Sequence, residues 1–167
     1  YSLLPHVRYR VNSFINPSDY DTYQIDKASE AISRGGLLGA GPGEGTVKSS
    51  LPDAHTDFIY SVLGEEFGYV AALALIGLYV FICWRGLRGA SQVRDPYPRA
   101  AAAGLFALFG LQAAINIAVN VSLIPPKGMT LPFISYGDSS MMGIALTLGL
   151  GLALIRRQTI TGRRRHV

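Results

Sequence analysis

Three long apolar runs constrain this chain more than any other feature. The first spans residues 58–84, and its core, Phe67–Trp84, holds no charged residue. The second spans 100–124 between Arg99 and Pro125, and the third spans 139–155 and ends at Arg156-Arg157. At the helical rise per residue the first run covers about 40 Å, enough to cross a hydrocarbon core of about 30 Å with tilt. Charged residues make up only 16% of the chain, against about 25% in soluble domains. Three runs of this kind, each flanked by charge or proline, argue against a soluble bundle. They predict an all-α integral membrane chain, a polytopic helical bundle with three transmembrane helices and a large extracytoplasmic loop.

Arginine sets the expected orientation. The segment 85–99 carries Arg85, Arg88, Arg94 and Arg99 against Asp95 alone, and the tail 156–167 carries Arg156, Arg157, Arg163, Arg164 and Arg165. Both are expected on the cytoplasmic side. Residues 1–57 and 125–138 then lie outside, the second as a loop that re-enters the membrane under protein cover. Asp57, Lys48, Lys127 and Asp138 thereby converge on one extracytoplasmic face. The net charge of +4 resides in these flanks, which is membrane topology and no footprint of nucleic-acid binding. One cysteine, Cys83, and three scattered histidines provide neither a disulfide framework nor a zinc site by spacing. The chain begins at Tyr1 without a signal-peptide pattern and reads as a piece of a longer protein, with 1–7 as the end of a preceding helix or an extended arm.

The polar stretch Leu51-Pro-Asp-Ala-His-Thr-Asp57 runs straight into the first apolar run. A carboxylate at the mouth of a span is costly to hold and is a functional candidate; equally, Asp57 can simply cap the helix. Below it, Asp57, Ser61, Gly64 and Gly68 share one small, polar face, suited to a tight helix contact or to an open groove. Glu65 and Glu66 lie deeper, where at least one needs a buried hydrogen bond or ion pair. Gln112, Asn116 and Asn120 recur every four residues and share a face of the second span. Interhelical hydrogen bonds are the favoured reading, a polar cleft the other. In the third span, Gly143, Thr147 and Gly151 on one face, and Ala145, Gly149 and Ala153 on another, predict close helix approach.

Residues 22–34 have helical composition, with Ile25, Ser29 and Ile32 on one face. The following stretch, 35–45, has a glycine at six of eleven positions. It matches neither phosphate-loop register, so a flexible extracellular loop with left-handed turns is expected. Asp138 is expected to cap the third span. His55 and Asp57, two residues apart, are badly placed for a Ser-His-Asp relay, and no nucleophile elbow is present.

Taken together, Leu51-Pro-Asp-Ala-His-Thr-Asp-Phe-Ile59, Gly64-Glu-Glu-Phe-Gly68, Pro126-Lys-Gly-Met-Thr-Leu-Pro-Phe-Ile-Ser-Tyr-Gly137 and Ser139-Ser140 closely resemble the SEDS family of bacterial shape, elongation, division and sporulation proteins. Tyr23-Gln24 and Gly35-Gly-Leu-Leu-Gly39 match its large outer loop, and Gly41-Pro-Gly-Glu-Gly-Thr-Val-Lys48 is similar to the division branch. The resemblance covers most of 14–155. Asp138 stands where the family usually has a second glycine. Family members have about ten spans, so this chain resembles the last three with the loop before them, and the piece alone is expected to be inactive.

The resemblance implies a peptidoglycan glycosyltransferase that polymerises lipid II at the outer face of the bacterial cytoplasmic (inner) membrane, at the division septum. It places the family's essential aspartate on Asp57, as general base on the acceptor sugar hydroxyl. Lys48 or Lys127 would meet the lipid pyrophosphate, with a divalent cation (Mg or Mn) as a further candidate. His55 and Thr56 would position Asp57, and Ser135 and Ser139 complete the expected substrate contacts. Implied partners are lipid II, the undecaprenyl-linked glycan chain, a class B penicillin-binding transpeptidase and other membrane proteins of the divisome. A lipid II flippase and a non-catalytic division scaffold are the alternatives.

Overall fold

A computed structural model describes residues 23–46, 56–125 and 128–163, with side chains described over 26–46, 56–125 and 128–156. Lys48, His55 and Lys127 lie outside the described residues. The described residues form helices and loops only. The helices are α1 (Tyr23–Gly35), α2 (Ile59–Ser91), α3 (Pro96–Asn120) and α4 (Asp138–Arg163).

Helices α2, α3 and the Asp138–Arg156 part of α4 are each long and apolar enough to cross a membrane. Each is apolar around most of its circumference, as a helix must be when one side faces protein and the other lipid. They run up, down and up. Asn120 at the end of α3 bonds Asp57 just before α2, and Gly89 near the far end of α2 meets Ile155 of α4. Small residues set the close approaches. A Cβ at Gly86 of α2 would overlap the Phe106 ring of α3, and Gly151 of α4 meets the same ring from the other side. That gives the Gly143, Thr147, Gly151 stripe its contact at Gly151, whereas Gly143 and Gly149 face open space. The core joins Tyr60, Ala72 and Tyr79 of α2, Phe109 and Ala113 of α3, Leu131 of the α3–α4 loop and Ile144 of α4.

Helix α1 lies against the first half of α2. Its buried face is Ala28, Ala31 and Gly35 with Ile32 half-buried beside them, while Ser29, on the face that side-chain character suggests, is exposed. Ala and Gly win because the backbones come so close: a Cβ on Gly35 would overlap the Gly64 carbonyl oxygen. This contact settles the small face of α2. Gly64 packs on Ile32, and the face is closed over, not open as a groove.

The glycine-rich loop is bonded into α2. At Gly68 the helix is interrupted, with φ 77° and ψ −178°. A break there frees the carbonyls of Glu65 and Glu66 and the amides of Tyr69 and Val70, and such groups cannot stay unpaired at membrane depth. Residues 36–41 satisfy all four. Ala40 N donates to Glu65 O at 2.9 Å and Gly41 N to Glu66 O at 3.1 Å. Tyr69 N donates to Gly36 O at 2.9 Å and Val70 N to Leu37 O at 3.4 Å. The loop has the left-handed glycines its composition predicts, at Gly36, Gly39, Gly41 and Gly43. Instead of moving freely it stands in for a turn of α2.

Candidate active site

Asp57 sits one residue ahead of the α2 cap residue, Phe58, at the junction of α2, α3 and the α3–α4 loop. Its main chain is held firmly. The Asn116 and Asn120 side-chain amides each donate to the Asp57 carbonyl at 2.9 Å. Asn116 Nδ2 also donates to Met129 O, and Gln112, one turn along, donates to Thr130 O at 3.1 Å. Asn120 Oδ1 in turn accepts from Ser61 N at 3.1 Å and Ser61 Oγ at 2.8 Å. The three amides of α3 are thus interhelical and helix–loop hydrogen-bond donors, the first of the two readings their spacing allowed. Their partners are what the sequence did not reveal. Two backbone carbonyls of a loop and that of the candidate acid carry no side-chain signature.

The α3–α4 loop forms the other wall. Ser135 Oγ donates to the Thr56 carbonyl and accepts from Leu131 N at 2.7 Å. Tyr79, well down α2, donates to Pro132 O at 2.6 Å. These bonds cover the loop backbone deep against α2 and α3, leaving Leu131 and Pro132 fully buried. Ser135 therefore fixes Thr56, next to Asp57, with its hydroxyl engaged on both sides. Gly128 approaches the carboxylate itself: a side chain there would begin 3.4 Å from Asp57 Oδ2. Beside this wall an apolar cleft of about 420 Å³ opens between Ile59, Ile134, Ser135, Tyr136 and Met141.

The remaining acids take different positions. Glu65 is buried at 1% exposure and accepts from Thr46 N at 2.7 Å, the buried hydrogen bond its depth required. Arg34 donates to Thr46 Oγ1 at 2.9 Å, so the same residue ties the loop to α1. Asp138 is exposed and lies one place inside α4, not at its cap. Met141 N bonds the Gly137 carbonyl at 3.0 Å, so Gly137 starts the helix, and Asp138 contributes only charge to the first turn. Ser139 is exposed in that turn. The structure thus brings Thr56, Asp57 and Ser135 together.

Known proteins resemble the chain over nearly its whole length. The sequence model of the FtsW/RodA/SpoVE cell cycle proteins matches residues 1–160. The chain belongs to that family. A probable peptidoglycan glycosyltransferase FtsW of Caulobacter vibrioides is 57% identical over 95% of this chain and 40% of its own length. One of Trichlorobacter lovleyi is 40% identical over 91% of this chain and 43% of its own. A solved peptidoglycan synthase complex contains a chain that superposes with a TM-score of 0.71 at 31% identity, over 94% of this chain and 44% of that one. The chain therefore spans less than half the length of the relatives it matches. Membership of the FtsW/RodA/SpoVE family and the three apolar helices make it a membrane protein.

Proposed function

We propose that the protein carrying this chain is a peptidoglycan glycosyltransferase that polymerises lipid II at the outer face of the bacterial cytoplasmic membrane during division, with Asp57 as its general base. The observation that supports this most is the rigidly held Asp57, its carboxylate beside a glycine at the mouth of the spans, in a chain whose relatives are named glycosyltransferases. A sugar hydroxyl is a poor nucleophile until a positioned base takes its proton. The Asp57 carboxylate accepts that proton as the hydroxyl oxygen attacks the anomeric carbon of the donor sugar. The bond from that carbon to the pyrophosphate oxygen breaks, and lipid pyrophosphate leaves with the bonding electrons.

The leaving group carries negative charge and needs cations. Lys48 and Lys127 are assigned that role, with His55 and Thr56 beside the base and Ser139 at the edge of the substrate. The apolar cleft under Tyr136 suits the first isoprene units of a polyprenyl carrier. Among the described residues no three Asp, Glu, His or Cys converge. A divalent cation would be held mainly by the pyrophosphate oxygens, the sparse protein share usual for magnesium at phosphates, and would neutralise charge on the leaving group. The arginine-rich segment 85–99, which comprises the end of α2, the short α2–α3 connection and the start of α3, and the tail are assigned to the cytoplasm, and a class B penicillin-binding transpeptidase and other divisome proteins are the proposed partners.

The test is lipid II polymerisation by the full-length protein with its transpeptidase partner, wild type against Asp57→Asn. Loss of glycan product, by at least about 100-fold, with partner binding intact supports the base. Undiminished polymer rules it out and returns Asp57 to a helix-end role, and lipid II translocation without polymerisation by the wild type indicates a flippase.

A further inference from the structure

Asp57 lies two residues ahead of α2, with Phe58 in the cap position between them, and the first turn of α2 is bonded from α3. In a continuous helix Ser61 N would donate to the Asp57 carbonyl. Here the Asn120 carboxamide is inserted between the two. Its oxygen accepts from Ser61 N, its nitrogen donates to Asp57 O, and Ser61 N shares its remaining interaction with Phe58 O at 3.0 Å.

Asn116 adds a second donor to the same carbonyl, using both acceptor positions of that oxygen. The same Asn116 nitrogen holds Met129 O, next to Gly128. One amide group thus fixes the main chain of the acid and the main chain of the wall facing it. Both asparagines are buried, at 1% and 0% exposure, in the end of a long helix. Packing alone requires only that a buried amide find some carbonyl, as Gln112 does at Thr130. Two amides ending on the carbonyl of the candidate base is a more specific arrangement.

We propose that Asn116 and Asn120 are positioning residues for the transfer reaction, holding the main chain of Asp57 so that the carboxylate faces Gly128. The inference rests on the reading of Asp57 as base. Its test measures position separately from catalysis. In the full-length protein with its partner, Asn116→Leu, Asn120→Leu and the isosteric Asn116→Asp are assayed for kcat and KM on lipid II. An Asp57→Cys, Gly128→Cys pair is followed by rate of disulfide formation with and without each change, in a background with every native cysteine of the full-length protein, Cys83 among them, replaced by Ala. Misplacement by about 1 Å predicts a kcat loss on the order of 100-fold with KM within about twofold. The disulfide should form at least about five times more slowly, because bridging tolerates little displacement. An unchanged cross-linking rate, or activity loss that appears only in KM or only in step with loss of folded protein, overturns the proposal. Slowed cross-linking while Asp57→Asn still polymerises would uphold the positioning and sink the base.

Discussion

Single side chains at this site do their work through main-chain atoms. Glu65 is the clearest case outside the Asp57 junction. Its buried carboxylate accepts the Thr46 amide and so fastens the strand of chain that leads on toward Lys48. Glu65→Ala should lower stability by about 1–3 kcal/mol, because the part-buried Thr46 amide loses its acceptor. Glu65→Gln, which keeps an oxygen there, should cost less. Thermal unfolding in detergent separates the two. Asp57 could be singled out from sequence because an acid at the mouth of an apolar run is rare and chemically expressive. The partners of Asn116 and Asn120 could not, since a side chain that bonds a distant peptide group leaves no complementary residue to find. Asp138 shows the converse error: its type suits a cap, but the geometry makes Gly137 the start of the helix.

At the scale of elements, the interruption of α2 was hidden because the apolar pattern runs through Gly68 without a change of period. The glycines of 35–45 announced left-handed turns, yet nothing in composition says that such turns will supply the bonds of another helix. Gly68→Ala should be strongly destabilising, by several kcal/mol on the order of the larger core defects. Its φ of 77° suits glycine, and a Cβ would lie 2.5 Å from Gly39 N and Leu37 O. Gly77→Ala, in the same helix with nothing within 4 Å, should be neutral or stabilising by up to about 1 kcal/mol. Comparing both melting temperatures with wild type checks the pair. In α1, Lys27 and Arg34 flank Glu30 at 2.6 and 3.2 Å. The Lys27 hydrogen bond above all, aided by both positive charges, holds the Glu30 carboxyl below its ordinary 4.5. Because the folded value is the lower one, the contribution is present above pH 4.5 and is lost as pH falls through the folded value. A carboxyl NMR titration should place the Glu30 midpoint below 4.5, and Lys27→Met should move it up.

For the whole molecule, the three spans bury little of themselves. Within their most apolar windows only 17%, 33% and 11% of residues are buried. Val80, Phe81, Trp84, Leu108, Leu146 and Leu152 stand exposed. A surface of that extent must meet lipid or further protein. Expressed as the 167-residue chain alone, it should fractionate with membranes, withstand alkaline carbonate washing and leave only with detergent. Recovery in the aqueous supernatant would contradict the three-span reading. Membrane class and helix number were legible because hydrocarbon demands long uncharged runs. The ends of those runs were less so: α2 continues past Trp84 to Ser91, since its basic last turns extend beyond the apolar stretch.

The interruption at Gly68 also bears on how such a protein is made. Residues 36–41 leave the ribosome well before 65–70, yet the later segment is not hydrogen-bond complete until the earlier one returns to it. The span beginning at Ile59 therefore enters the bilayer unfinished and matures only when both segments have reached the same membrane face. A short deletion within 36–41 would leave an immature span exposed to the cell's quality-control proteases. Its first symptom would be a shortened lifetime of newly made chains, seen in a pulse-chase before any enzymatic defect could be measured.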